Sequence, residues 1–292
     1  MTTEVVRARL VFAYDGTDFA GWAAQPGLRT VQGVMEEALG RIVRQDAPPR
    51  ITVAGRTDAG VHARAQVAHV DISREAWQRL PGRAERTPAQ GLLRRLQGVL
   101  PDDIGVHEAG EAPEGFDARF SAVARRYAYR IADAASPRDP LARRHVAWVD
   151  ADVDLEALQE ASATLTGLRD FAAFCKAREG ATTIRDLQVF TWERPAWGAD
   201  AGLLVATVRA DAFCHSMVRS LVGAVLAVGQ GRRDLDWLAA VAASTERSQQ
   251  VSVAPAHGLT LEEVVYPPDA ELAARAVQTR ARRTPDEAGS CD

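Results

Sequence analysis

One segment constrains this chain more than any other. Ile51-Thr52-Val53 leads into Ala54-Gly55-Arg56-Thr57-Asp58-Ala59-Gly60-Val61-His62-Ala63. The β-branched run predicts a strand entering a loop, and Gln66–Ile72 predicts the strand that follows it. Glycines on both sides of Arg-Thr-Asp let the backbone turn sharply and approach a ligand closely. The chain must therefore build a strand, a tight loop and a strand, with Asp58 presented beside the guanidinium of Arg56. A neighbouring arginine keeps a half-buried carboxylate ionised, fit to act as a nucleophile or base at neutral pH. Taken as a tetrapeptide, Thr57-Asp58-Ala59-Gly60 is also ordinary turn chemistry, since Asp bonds its own backbone and Gly accepts a positive φ.

Around this loop, strands and helices alternate in two successive mixtures. Leu10–Tyr14 predicts a strand closed by Asp15-Gly16. Thr30 is placed as the N-cap of a helix with Val31, Val34, Met35, Ala38, Leu39, Ile42 and Val43 on one face. A helix over Ala89–Val99, stopped by Pro101, and strands at Asp103–His107 and Val123–Ile131 complete the first half. The second half predicts extended chain at His145–Val149, a helix over Leu155–Leu165, and strands Ile184–Trp192 and Leu203–Arg209. A long helix over Ala212–Val228, a short one over Leu238–Ala243 and a last strand Leu259–Tyr266 follow. Residues 267–292 lack periodicity and are expected to be an unstructured tail. The pattern is that of an α+β protein of two lobes, with boundaries expected at 1–113 and 114–266.

The chain has 292 residues, 47% of them hydrophobic and 25% charged, as in an ordinary globular protein. The longest apolar run, Leu221–Val228, is far short of the roughly 20 residues needed to span a membrane, so no membrane association is expected. Cys175, Cys214 and Cys291 are odd in number and widely spaced. They predict neither a disulfide framework nor a zinc site, and hence a reduced, cytoplasmic setting. His62 and His69 are expected to be hydrogen-bonded structural residues, and no metal or cofactor is expected. The net charge is -4, but arginines cluster. Arg41–Arg95 holds eleven arginines against Asp46, Asp58, Asp71, Glu75 and Glu85, and Arg119–Arg144 holds seven against Asp133 and Asp139. Such segments can form a local phosphate-binding face on a mildly acidic chain.

Four stretches carry a resemblance to a known family. They are the Asp58 loop; Tyr14-Asp15-Gly16 with Phe19-Ala20-Gly21-Trp22; Ala118-Arg119-Phe120-Ser121-Ala122 with Arg125-Arg126-Tyr127-Ala128-Tyr129; and Ala212-Phe213-Cys214-His215-Ser216-Met217-Val218-Arg219. A fifth, Gly258-Leu259-Thr260-Leu261, lies near the end. Together, over most of residues 8–266, they resemble the tRNA pseudouridine synthase A family, whose members modify the anticodon arm of transfer RNA. The resemblance implies a pseudouridine synthase fold: two ferredoxin-like, RRM-like lobes sharing a mostly antiparallel sheet, with a central cleft for RNA. It implies Asp58 as the catalytic residue, Tyr127 against the target base, Arg219 paired with the catalytic carboxylate, and Leu259 or Leu261 lining the base pocket. Arg56 falls to the RNA backbone or the vacated base position. The expected reaction is isomerisation of uridine to pseudouridine at about positions 38 to 40 of transfer RNA, by a homodimer. The other reading is a non-catalytic RNA-binding protein that uses the sheet tyrosines and the arginine segments. Several residues depart from the family pattern: Ala23 and Ala24 after Trp22, Gln97 before Leu100-Pro101, Cys175 after Phe174, and Ser216 after His215. Those at Ala23, Ala24 and Cys175 remove possible RNA contacts and bear on affinity more than on chemistry.

Overall fold

Strand β1 (Val5–Tyr14) alternates buried and half-exposed residues along its length, the period of a sheet with one face on a core. It opens a computed structural model that describes residues 4–45, 48–176 and 182–280. Helix α1 (Val31–Val43) begins where the Thr30 hydroxyl accepts the Gly33 N–H, and it buries Val31, Met35, Ala38, Leu39, Ile42 and Val43. Strands β2 (Ile51–Val53) and β3 (His62–Ser73) follow, then α2 (Arg74–Arg79), α3 (Pro88–Val99) and β4 (Ile104–Glu111). Helix α3 starts with a full capping box: Thr87 accepts the Gln90 N–H while the Gln90 side chain accepts the Thr87 N–H. The order β4-β1-β3 is antiparallel throughout, and β2 pairs antiparallel with β3, Val53 opposite Ala68.

The second half builds β5 (Ala124–Ala132), the short β6 (Ala147–Trp148), α4 (Leu155–Ala163), β7 (Gly167–Asp170), β8 (Ile184–Glu193) and β9 (Leu204–Ala210). Helices α5 (Met217–Gly229) and α6 (Leu235–Ala242), strand β10 (Leu259–Val265) and helix α7 (Leu272–Arg280) complete the chain. The order β5-β9-β8-β7 is antiparallel, and β6 adds to β5 in parallel. The molecule is thus mixed α+β with mostly antiparallel pairing. The chain divides into two units: residues up to Val123 together with Glu262–Arg280, and Ala124–Leu261.

Three expectations are corrected. The tail is not structureless from Pro267: α7 is a helix that buries Leu272 and Ala276. Leu272 joins a cluster with Ala54, Val67, Phe116 and Ala118, and tertiary burial of one stripe stabilises a segment whose own periodicity is weak. Residues 281–292 lie outside the described residues. Helix α5 starts at Met217 rather than Ala212, because Ser216 takes a left-handed conformation (φ 64) and breaks the run. Finally, Cys175 and Cys214 form a disulfide, with Cα atoms 5.7 Å apart. The Ala172–Phe174 turn delivers one partner and the loop before α5 the other. A pair separated by 39 residues leaves no spacing signal in the sequence. Cys291 lies outside the described residues.

Candidate active site

In the first unit, residues 54–61 join β2 to β3 and carry Arg56 and Asp58. Arg56 is exposed and Asp58 half-buried. The loop is built against the opening segment of the chain. The Trp22 N–H donates to the Thr57 carbonyl (3.0 Å) and the Gly60 N–H to the Phe19 carbonyl (3.4 Å). Inside the loop, the Val61 N–H closes a turn on the Asp58 carbonyl at 3.2 Å. A side chain at Gly16 would place its Cβ 2.1 Å from the Val61 carbonyl oxygen. Gly21, at φ +92, has only 3.0 Å of room to the Thr57 oxygen and 3.1 Å to the Ala59 nitrogen. The glycines of Tyr14-Asp15-Gly16 and Gly21-Trp22 are thus the floor on which the Asp58 turn rests.

Beneath the loop lies a closed polar network. The Tyr14 hydroxyl and the Thr57 hydroxyl are 2.8 Å apart, and the Gln66 amide donates to the Tyr14 oxygen (3.2 Å) and to the Gly55 carbonyl (2.9 Å). Burial pushes the Tyr14 hydroxyl up to about 12, although its bonds to Thr57 and Gln66 pull the other way. His62 accepts the Gly16 N–H on Nδ1 at 3.0 Å and stands 3.2 Å from Asp15. His69 accepts the Ala118 N–H at 3.0 Å. Burial lowers the pKa of His69, as does the nearby Arg7. Both histidines thus accept backbone N–H groups within the first unit.

In the second unit, Tyr127 lies on β5, 6% exposed, with its ring edge-on to Phe213 at 5.2 Å. Arg219 lies on the first turn of α5, half-buried, and its Nε donates to the Ala254 carbonyl at 2.8 Å. The Ala254 N–H returns a bond to the Arg219 carbonyl at 3.0 Å. The segment approaches α5 closely because Gly223 has no side chain: a Cβ there would sit 1.8 Å from the Ser252 carbonyl oxygen. Tyr129 donates to the Pro255 carbonyl at 2.8 Å, and its ring fills the space a Cβ on Gly258 would need, 2.6 Å away. Burial raises the Tyr129 pKa, while the nearby Arg219 charge lowers it. Leu259 and Leu261 are both buried, 5% and 0% exposed. Tyr127 thus packs against Phe213, and Arg219 is tied to the start of the 254–261 segment.

Tyr14, Thr57 and Gln66 had no part in the site expected from sequence. The available signal was Gln66 itself, an amide within a strand whose following residues are almost all buried. Such a group must have partners.

The family model described as tRNA pseudouridine synthase matches residues 161–267. The tRNA pseudouridine synthase A of Streptomyces griseus subsp. griseus is 55% identical over 287 residues, covering 98% of this chain and 97% of that protein. The tRNA pseudouridine synthase A of Leifsonia xyli subsp. xyli is 55% identical over 291 residues, covering 97% and 100%. That of Cutibacterium acnes is 54% identical over 280 residues, covering 96% of each.

Proposed function

This chain belongs to the tRNA pseudouridine synthase A family, and on that basis we propose that Asp58 carries the isomerisation of uridine to pseudouridine in the anticodon stem-loop of transfer RNA. The enzyme is an isomerase acting on RNA. The N1–C1′ bond of the target uridine breaks, the uracil turns, and C5 bonds to the same C1′. The hydrogen on C5 leaves as a proton and N1 regains one, so no redox change or energy source enters. The target uridine leaves its stack to be reached, and a snug pocket offsets the unstacking. In this reading Asp58 acts at the sugar C1′, at a ribose proton or at uracil C6. Arg219 pairs with the carboxylate, Tyr127 lies against the base, Leu259 or Leu261 lines its pocket, and Arg56 takes the RNA backbone or the vacated base position.

The observation that carries the reading is the Asp58 loop itself. It holds one half-buried carboxylate on a glycine-bracketed turn, propped from behind by Gly16 and Gly21. Of the residues matched to base and carboxylate contacts, Tyr127 packs on Phe213 just before α5, and Arg219 bonds to Ala254 ahead of Leu259 and Leu261. The targets are uridines at about positions 38 to 40, and the enzyme works as a cytoplasmic homodimer. No helix among the described residues is long and apolar enough to cross a membrane.

The test is tritium release from transfer RNA carrying 5-tritiated uridine, run beside an RNA-binding measurement. Asp58→Ala and Asp58→Asn are expected to abolish release while binding persists. Near wild-type release from Asp58→Ala would overturn the assignment. Binding without release by the unaltered protein would leave the non-catalytic reading instead.

A further inference from the structure

We infer that Tyr14, Thr57 and Gln66 form a positioning device for Asp58, a buried hydrogen-bonded brace that sets where the carboxylate stands. The inference rests on the proposed role of Asp58 and goes beyond it by naming residues to which that reading assigns no contact with base or sugar. All three side chains are shielded: Tyr14 is 4% exposed, Thr57 8% and Gln66 0%. Every polar atom of Gln66 is used. Its amide nitrogen donates to the Tyr14 oxygen and to the Gly55 carbonyl, and its oxygen accepts the Val67 N–H at 3.2 Å. The Tyr14 oxygen accepts from Gln66 and lies 2.8 Å from the Thr57 hydroxyl, so one of the two hydroxyls donates to the other.

The brace grips the loop at two points, the Gly55 carbonyl and the Thr57 side chain, on either side of Arg56 and immediately before Asp58. Thr57 is held a second time through its carbonyl, which accepts the Trp22 N–H. A network of this kind is a costly way to fill a core, because each buried polar atom must be matched. Its return is geometric: it allows one rotamer of Thr57 and one path for the backbone entering Asp58. A reacting group displaced by about 1 Å loses roughly a hundredfold in rate.

The experiment measures single-turnover rate and tRNA affinity for Tyr14→Phe, Thr57→Val, Thr57→Ser and the Tyr14→Phe/Thr57→Val double variant. All are assayed well below their melting temperatures, with Asp58→Asn as the control. Tyr14→Phe and Thr57→Val should each slow the chemical step by about ten- to a hundredfold and leave affinity for tRNA within about twofold. Thr57→Ser, which keeps the hydroxyl, should recover most of the rate. The double variant should be no slower than the slower single one, because one brace is broken once. Wild-type rates in Tyr14→Phe and Thr57→Val, or losses that follow affinity rather than the chemical step, would overturn the brace. Failure of Thr57→Ser to recover the rate beyond Thr57→Val would also overturn it. A dead Asp58→Asn beside a wild-type Tyr14→Phe rejects the brace and leaves the role of Asp58 intact. An active Asp58→Asn rejects both.

Discussion

At the scale of single residues, Gly16 and Tyr14 set the limits of the Asp58 loop. Gly16→Ala would drive a Cβ to 2.1 Å from the Val61 carbonyl oxygen, so the loop has to move. We expect a loss of roughly 1–3 kcal/mol of stability, read from denaturant midpoints, together with a fall in turnover larger than the stability change explains. Tyr14 and Tyr129 are held protonated by burial, Tyr14 up to about 12. An unfolded tyrosine ionises near ~10. Both folded pKa values are raised, so their contribution to stability is complete below pH ~10 and is lost as pH climbs toward the folded values. Stability should therefore fall between about pH 10 and 12. The rise of tyrosinate absorbance should include these two rings only as the protein unfolds. Phenylalanine at Tyr14 should flatten part of that fall. Asp58 and its glycines were legible in the sequence because turn chemistry is local. The Tyr14 hydroxyl's partners were not, because Thr57 lies 43 residues away and Gln66 52.

At the scale of elements, the sequence marked most helices by caps and periodicity. Thr30, read as a cap in the sequence, accepts the Gly33 N–H at the start of α1; Asp154 and Asp234 cap α4 and α6 in the same way. It overran the start of α5, where apolar residues continue through Phe213 but Ser216 turns left-handed. A local pattern does not register a break imposed from elsewhere, and here the disulfide ties that loop to the Ala172–Phe174 turn. In the oxidised protein this crosslink closes a loop of about forty residues, worth roughly 4 kcal/mol by the chain-entropy relation. Cys214→Ser should lower the melting temperature of the oxidised protein and leave the reduced protein nearly unchanged. Alkylation followed by mass spectrometry should find Cys175 and Cys214 unlabelled until a reductant is added. Gly223→Ala belongs to the same scale: its Cβ would collide with Ser252 and push the 252–254 segment away from α5. The bond between Arg219 and Ala254 should loosen, costing both stability and turnover.

At the scale of the whole molecule, the α+β class was legible because alternating strands and helices are a property of pattern. The division of the chain was not, since only contacts reveal that Glu262–Arg280 belongs with the first 123 residues. Helix α7 supplies Leu272 to the cluster that contains Ala54 and Val67, at the root of the Asp58 loop. Leu272→Ala should destabilise the first unit by roughly 2–5 kcal/mol, seen as a lower urea midpoint. His69 and His257, whose pKa values burial depresses, favour the neutral form when folded. Their contribution is present above about pH 6.5 and fades as the solution is acidified through their lowered values. An acid titration of the melting temperature should show that decline. The return of the chain at residue 262 also bears on synthesis. A ribosome delivers the aspartate turn early and its last supporting helix late, with some 140 residues of the other unit in between. Nascent chains released before Leu272 would carry every atom of the reacting group on an unfinished foundation, so premature stops even close to the end should yield silent protein.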